Sequence, residues 1–377
     1  MPEIERRTLL AAPMLNLQTG PRVTVVGAGA FGGWSALHLQ RMGARVTLLD
    51  AWGPGNSRAS SGGETRITRA AYADAIYADL TVRALEIWKD QEKRWNQKVF
   101  FPCGVVRLQG KASSDAEKFL KVLRGAGVKH EQIAARDAAR KFPQFDFRGV
   151  DWVLHEPEHG MLRARRGCEL VLHAFQEAGG EYRQEKADPA RRFEADAVVW
   201  ACGPWLERLF PGVVKVKPTR QEIFFFGVPA GETMYQETRM PCWIDDSLPG
   251  SHYYGTPGND WRGFKIGDDE NGPEFDPDHG ERRVSEKQLS AIREYMKIRF
   301  PKMASAPLVE TRVCQYEVTP DAHLILDKHP SNPKFWLVGG GSGHGYKLGA
   351  AVGERVAQAV LGKREAPEMF RLARFRG

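Results

Sequence analysis

Between Arg22 and Val26 the chain carries a short β-branched run bounded by polar residues, which predicts one buried strand. Gly27-Ala28-Gly29-Ala30-Phe31-Gly32 follows, then an amphipathic stretch to about Met42 that reads as a helix. A second apolar run, Arg45–Leu49, ends at Asp50. Strand, glycine loop, helix, strand and terminal acid in this order make a βαβ unit. Thr81–Glu92 repeats apolar residues at helical spacing, with Leu80, Ala84, Leu85 and Trp88 on one side. Ala116–Leu123, Ala134–Lys141, Cys168–Glu177 and Ser285–Arg299 also read as helices. Ala195–Ala201 is a β-branched run closed by Cys202-Gly203-Pro204, and Gln221 to Phe264 alternates as antiparallel sheet does. Phe335–Val338 predicts a buried strand, Gly339–Gly345 a second glycine-rich loop, and Lys347–Leu361 a helix.

This order predicts a mixed α/β and α+β fold. A Rossmann-like parallel-sheet domain takes segments 1–95, 150–215 and 308–377, interleaved with a mixed antiparallel-sheet domain from 96–149 and 216–307.

Length and composition narrow the class. At 377 residues, 42% apolar and 27% charged, the chain suits a folded globular protein with a core of ordinary size. Its longest apolar runs fall far short of the ~18 residues a membrane helix needs. Five cysteines form no CxxC pair, which argues against a structural metal or disulfide framework and for a reducing, cytoplasmic setting. Arg6-Arg7 resembles a twin-arginine export signal, but the apolar stretch behind it is broken by Pro13; a frayed tail is the preferred reading. The net charge of +7 is scattered, which disfavours nucleic acid and favours anionic small molecules.

The glycine loop carries the first chemistry. Gly27 permits the tight turn, Gly29 lets the backbone approach a pyrophosphate, and Gly32 lets helix and strand pack closely. The helix N-terminus offers N–H groups to phosphates. Asp50, 18 residues after Gly32, is placed to accept from a ribose hydroxyl and disfavours NADP. The glycine motif alone leaves NAD and FAD open.

Five further motifs bear on that choice. Ser60-Ser61-Gly62-Gly63-Glu64-Thr65-Arg66-Ile67-Thr68-Arg69, His252-Tyr253-Tyr254-Gly255, Gly263-Phe264-Lys265-Ile266-Gly267, Val313-Cys314-Gln315-Tyr316 and Gly341-Ser342-Gly343-His344-Gly345-Tyr346-Lys347 occur in that order. Together with Asp196–Gly203 and Trp205 they resemble the monomeric sarcosine oxidase and N-methyltryptophan oxidase family of flavoprotein amine oxidases, within the D-amino acid oxidase-like superfamily. The resemblance implies FAD in the parallel-sheet domain, joined as a thioether through Cys314, with the substrate in the other domain. By the same resemblance Ser60, Thr65, Gly343, His344 and Lys347 lie on the cofactor side and Arg66 against the flavin ring. It further implies that Lys265 promotes oxygen reduction, that Arg69 and Lys347 clamp a substrate carboxylate, and that Tyr254 and Tyr316 line the substrate cavity. The last helix then aims its positive end at the pyrimidine edge of the flavin.

Taken singly these residues leave other readings open. Cys314 also fits an inert buried thiol, Lys265 and Lys347 exposed surface charges, and the tyrosines ordinary core residues. The chain departs from the family where sarcosine-oxidising members carry a histidine four residues after the lysine; here Asp269 stands there, which implies a more cationic substrate or another route of amine deprotonation. Glu181–Arg192 is shorter than the family's hairpin, so its adenosine-side contacts do not carry over. The expected activity is oxidation of a secondary or primary α-amino acid to an imine, with O2 reduced to H2O2. A cyclic imino acid such as pipecolate, or a non-oxygen electron acceptor, is the alternative. No metal is expected, and either a monomer or a weak dimer fits.

Overall fold

Val23, Val25 and Val26 are buried because their strand, Arg22–Val26, has a parallel neighbour on each side: Arg45–Asp50 on one and Ala197–Trp200 on the other. Strands covered on both faces read as near-continuous apolar runs, which is why these segments stand out in the sequence. The computed structural model describes residues 19–111, 115–248, 252–260 and 262–375; Arg6-Arg7 and the expected frayed tail ahead of residue 19 lie outside them. The six-stranded sheet runs Ile325–His329, Asn332–Gly339, Ala197–Trp200, Arg22–Val26, Arg45–Asp50, Glu181–Gln184. Its first pair is antiparallel and the other pairings are parallel. Helices Ala30–Arg41, Ala75–Trp95, Ala164–Glu177 and Gly349–Val360 bury their apolar faces in one core with this sheet.

A second sheet has eight strands, ordered Leu308–Val318, Lys217–Phe226, Phe264–Asp268, Tyr253–Thr256, Cys242–Asp246, Val105–Gln109, Trp152–Glu156, Glu131–Ala134. Its pairings are antiparallel except that of Cys242–Asp246 with Val105–Gln109. Helix Glu286–Arg299, with Ser285 as its N-cap, covers one face through Ile292, Tyr295 and Met296. A small sheet of Thr65–Thr68, Gly160–Arg163 and Phe100–Phe101 completes the mixed α/β architecture.

Several expectations shift. Trp152–Glu156 and Leu308–Val318 hydrogen-bond into the eight-stranded sheet, so the expected boundaries at 150 and 308 fall before strands of the antiparallel layer. The helix expected over Thr81–Glu92 runs from Ala75 to Trp95, closed by Asn96 in the left-handed conformation. The last helix begins at Gly349 rather than Lys347, because Tyr346–Leu348 forms a 3₁₀ turn.

One charged cluster is locked inside the second layer. Arg299 and Asp245, both fully buried, pair at 2.7 Å; Tyr295 Oη donates to the same carboxylate at 3.2 Å, and Arg299 Nη2 donates to Ser247 Oγ at 2.8 Å. Removing one partner strands a charge without water. Arg299→Met is therefore expected to lower unfolding free energy by about 3–5 kcal/mol. Arg83→Ala, which breaks a half-exposed pair with Glu354, should cost under about 1 kcal/mol. Urea denaturation of the two variants checks the contrast.

Candidate functional site

The carboxyl ends of the parallel strands converge on one cleft. In open parallel sheets this edge is where ligands bind. Gly27, Gly29, Asp50 and Ser60 line it, together with Ala201–Gly203 and Gly341. Gly27 has φ +103°, and a Cβ there would lie 2.4 Å from the carbonyl oxygen of Ala201. Gly32 sits behind the loop: a Cβ would lie 1.8 Å from Gly27 O, so only glycine lets the helix approach the turn. Asp50 does more than face the cleft. One oxygen accepts the N–H of Ala28 at 2.7 Å, and the other those of Trp52 at 2.9 Å and Gly53 at 2.7 Å. The first N–H of the helix, that of Ala30, donates to Ser61 Oγ at 2.9 Å. Glu185, Lys186 and Ala187 also line the cleft, so the shortened 181–192 segment reaches it.

A second cavity opens between the eight-stranded sheet, the small sheet and the 343–347 loop. Arg66, Tyr316, Gly343 and Tyr346 border both spaces, so the two sites meet across those side chains. The Arg66 guanidinium is held by carbonyls, donating to Ser60 at 2.6 Å, Gly62 at 2.7 Å and Thr65 at 2.8 Å. Its Nη2 lies 3.8 Å from Cys314 Sγ. Cys314 is carried by strand Leu308–Val318, in register with Gln221, and faces the cavity beside Ile223, Phe225 and Tyr254.

Lys265 is 3% exposed, which removes the reading of an exposed strand lysine. Its Nζ donates to Thr65 O at 2.9 Å and lies 5.7 Å from the centre of the Tyr254 ring. Burial, reinforced by Arg66, pushes its pKa down to about 7. Thr65 lines neither space; it backs the site, its hydroxyl 3.1 Å from that of Thr256. Lys347 is buried as well, donating to His344 O at 3.1 Å, with its pKa lowered by burial and by Arg69. Arg69 donates to Ala71 O and lies 4.5 Å from the Tyr72 ring centre.

Asp269 faces these cations. Tyr316 Oη donates to it at 2.7 Å. Its carboxylate is exposed and lines the cavity, and desolvation raises its pKa against the opposing pull of Tyr316, Arg69 and Lys347. His344 is kept neutral: burial and Lys347 push it down to about 3. Its Nε2 reaches Ala322 O at 3.0 Å, a bond that places the proton on Nε2 and leaves Nδ1 to accept from Tyr72 Oη at 3.3 Å. Gly343, φ +81°, passes so close to Tyr316 that a Cβ would be 2.7 Å from the ring.

Three residues escaped the sequence reading. Arg107 and Asp246 pair in the wall of the second cavity, brought together by the one parallel pairing of the eight-stranded sheet. Glu317 lines the first cleft; Gly341 N–H donates to one of its oxygens at 3.2 Å, the other has no partner, and burial raises its pKa to about 7. Alternation from Cys314 along its strand would have placed Glu317 opposite in facing, had the strand been recognised. Among the described residues no cluster of three or more His, Cys, Asp or Glu could hold a metal ion, and no helix is long and apolar enough to cross a membrane.

Comparison with known proteins places this geometry. A family model described as FAD dependent oxidoreductase (DAO) matches residues 22–359. Monomeric sarcosine oxidase of Streptomyces avermitilis is 28% identical over 360 residues, spanning 90% of this chain and 93% of that one. N-methyl-L-tryptophan oxidase of Yersinia pestis is 25% identical over 371 residues, spanning 93% and 98%. The crystal structure of L-proline dehydrogenase from P. horikoshii superposes with a TM-score of 0.80 at 20% identity over 95% of this chain and 98% of that one, a likeness of fold. The cleft suits a dinucleotide: a Cβ is missing where backbone must approach it, and Ser60 Oγ and Glu317 Oε2 are buried without partners. On these grounds the chain belongs to the DAO family of FAD dependent oxidoreductases, with FAD as its cofactor.

Proposed function

We propose that the protein oxidises a secondary or primary α-amino acid, of the N-methyl type, to an imine while O2 is reduced to H2O2. The observation that carries this is the second cavity, where Arg69, Lys347, Lys265 and Asp269 surround a space sharing walls with the dinucleotide cleft. FAD supplies the two-electron acceptor; the chain supplies the rest. Arg69 offers a planar fork and Lys347 a point charge to the substrate carboxylate, which fixes the α-carbon relative to the shared wall. Tyr254 and Tyr316 give apolar faces to the substrate's alkyl groups. Only the neutral amine can lose hydride from its α-carbon. Asp269, its basicity raised by desolvation at the cavity wall, would hold the ammonium and accept its proton, in place of the family histidine. Lys265, fixed by Thr65 O, places positive charge where oxygen gains its first electron. Cys314 would hold the cofactor as a thioether, with the Arg66 guanidinium 3.8 Å from its sulfur.

A panel of N-methyl, primary and cyclic α-amino acids is expected to yield H2O2 and bleach the flavin anaerobically with at least one N-methyl member. Bleaching without peroxide would instead assign a different electron acceptor. Acid precipitation should leave yellow colour on the pellet, and Cys314→Ser should release it to the supernatant; colourless wild-type pellets refute the tether. Lys265→Met is expected to slow reoxidation by O2 on the order of 100-fold or more, with anaerobic reduction little changed. Because Lys265 is charged only below its pKa, wild-type reoxidation should fall as pH rises through about 7 and above, and the variant should lose that dependence. Stopped-flow half-reactions across pH measure both.

A further inference from the structure

We infer that Cys103 and Cys242 form an oxidation site, a dithiol that a hydroperoxide closes to a disulfide. Their sulfurs lie 3.7 Å apart, although the residues are 139 positions apart in sequence. Backbone hydrogen bonds hold the two segments together: Cys242 N–H donates to Gly104 O at 3.0 Å, and Cys242 is in register with Val105. A disulfide would bring the sulfurs to ~2.05 Å.

The two thiols are unequal in ways that suit sequential chemistry. Cys103 is partly accessible, at the turn after Phe100–Phe101, whereas Cys242 is fully buried among Phe101, Val105 and Met161. Donation from the Cys242 thiol stabilises the Cys103 thiolate and lowers its pKa, while burial raises that of Cys242. Cys103 is thus the nucleophile and Cys242 the resolving thiol. The thiolate attacks one oxygen of the peroxide and the O–O bond breaks. Cys103 becomes a sulfenic acid, and hydroxide leaves to be protonated to water. The Cys242 sulfur then displaces the sulfenic oxygen, which leaves as a second water with the Cys242 proton. Two thiols are oxidised by two electrons, and one peroxide is reduced to two waters.

Cys168 and Cys202 contrast with this pair. Cys168 is buried and Cys202 partly accessible at the cleft; desolvation raises the pKa of both, and their partners are the Tyr346 hydroxyl and the carbonyl of Val26 rather than a second thiol. The pair also adjoins the site. Trp243, next to Cys242, is in register with Gly255, and the following Thr256 with Lys265. Charge on Cys242 and on Lys265 is mutually felt. Peroxide released by the proposed oxidase reaction would be an internal source of oxidant, and that source alone rests on the functional reading.

The test adds hydrogen peroxide directly to the purified holoenzyme without substrate. Denaturation in N-ethylmaleimide and peptide mapping should then show Cys103 and Cys242 joined and lighter by two hydrogens, both restored by dithiothreitol, with Cys168 and Cys202 alkylated in full. In Cys242→Ser, where no resolving thiol remains, dimedone should label Cys103. Full alkylation of Cys103 and Cys242 after peroxide, or overoxidation of Cys103 beside an intact Cys242 thiol in the wild type, overturns the proposal. Formation of the disulfide by added peroxide in a protein that releases none itself would uphold the site and refute only its internal supply.

Discussion

Buried positive charge where the eight-stranded sheet meets the small sheet and the 343–347 loop is the constraint around which this protein is organised. Lys265 and Lys347 are each held by a backbone carbonyl, and Arg66 by three, in surroundings that disfavour the charged state of both lysines. Such groups cost stability unless something compensates them. Asp269 supplies part of the balance, and an anionic ligand supplies more. A cavity wall that is electrically incomplete in this way attracts carboxylates and holds negative charge as it develops.

The scaffold keeps these groups from relaxing away. Leu308–Val318 and Lys217–Phe226 pair along most of their lengths, and the register that sets Cys314 opposite Gln221 also sets Tyr316 opposite Thr219. Lys265 stands opposite Phe225 on one side and Thr256 on the other. Its ammonium is therefore anchored through two hydrogen-bonded neighbours and, through Thr65, to the small sheet that carries Arg66. The helix Glu286–Arg299 and its buried Asp245–Arg299 pair brace the same layer from behind. Precision in the cavity comes from strand register, which cannot drift by one residue without turning every side chain to the opposite face.

The βαβ unit was legible because its signals are local: β-branched runs, glycines whose missing side chains a tight turn requires, and an acid at a strand end. Helix Glu286–Arg299 was legible to within one residue, as Ser285–Arg299, for the same reason; that Ser285 caps it came only from the structure. The ordered motifs around Arg66, Lys265, Cys314 and His344 announced the family, yet no local pattern said that Lys265 is buried or that Arg69, Asp269 and Lys347 face one space. The 11-residue strand through Cys314 went unread as a strand, since its half-buried start, Leu308–Arg312, and its polar buried residues, Gln315 and Glu317, blur the alternation.

Residue identity alone thus settled the dinucleotide turn, the family and the chemical kinds of side chain available, because covalent geometry and short-range periodicity act within a few residues. Tertiary structure decided which of those side chains share a cavity, which lose their water and so shift their proton affinity, and that Cys103 meets Cys242. These depend on strands distant in sequence pairing in one register, and on burial, which belongs to the assembled layers rather than to any segment.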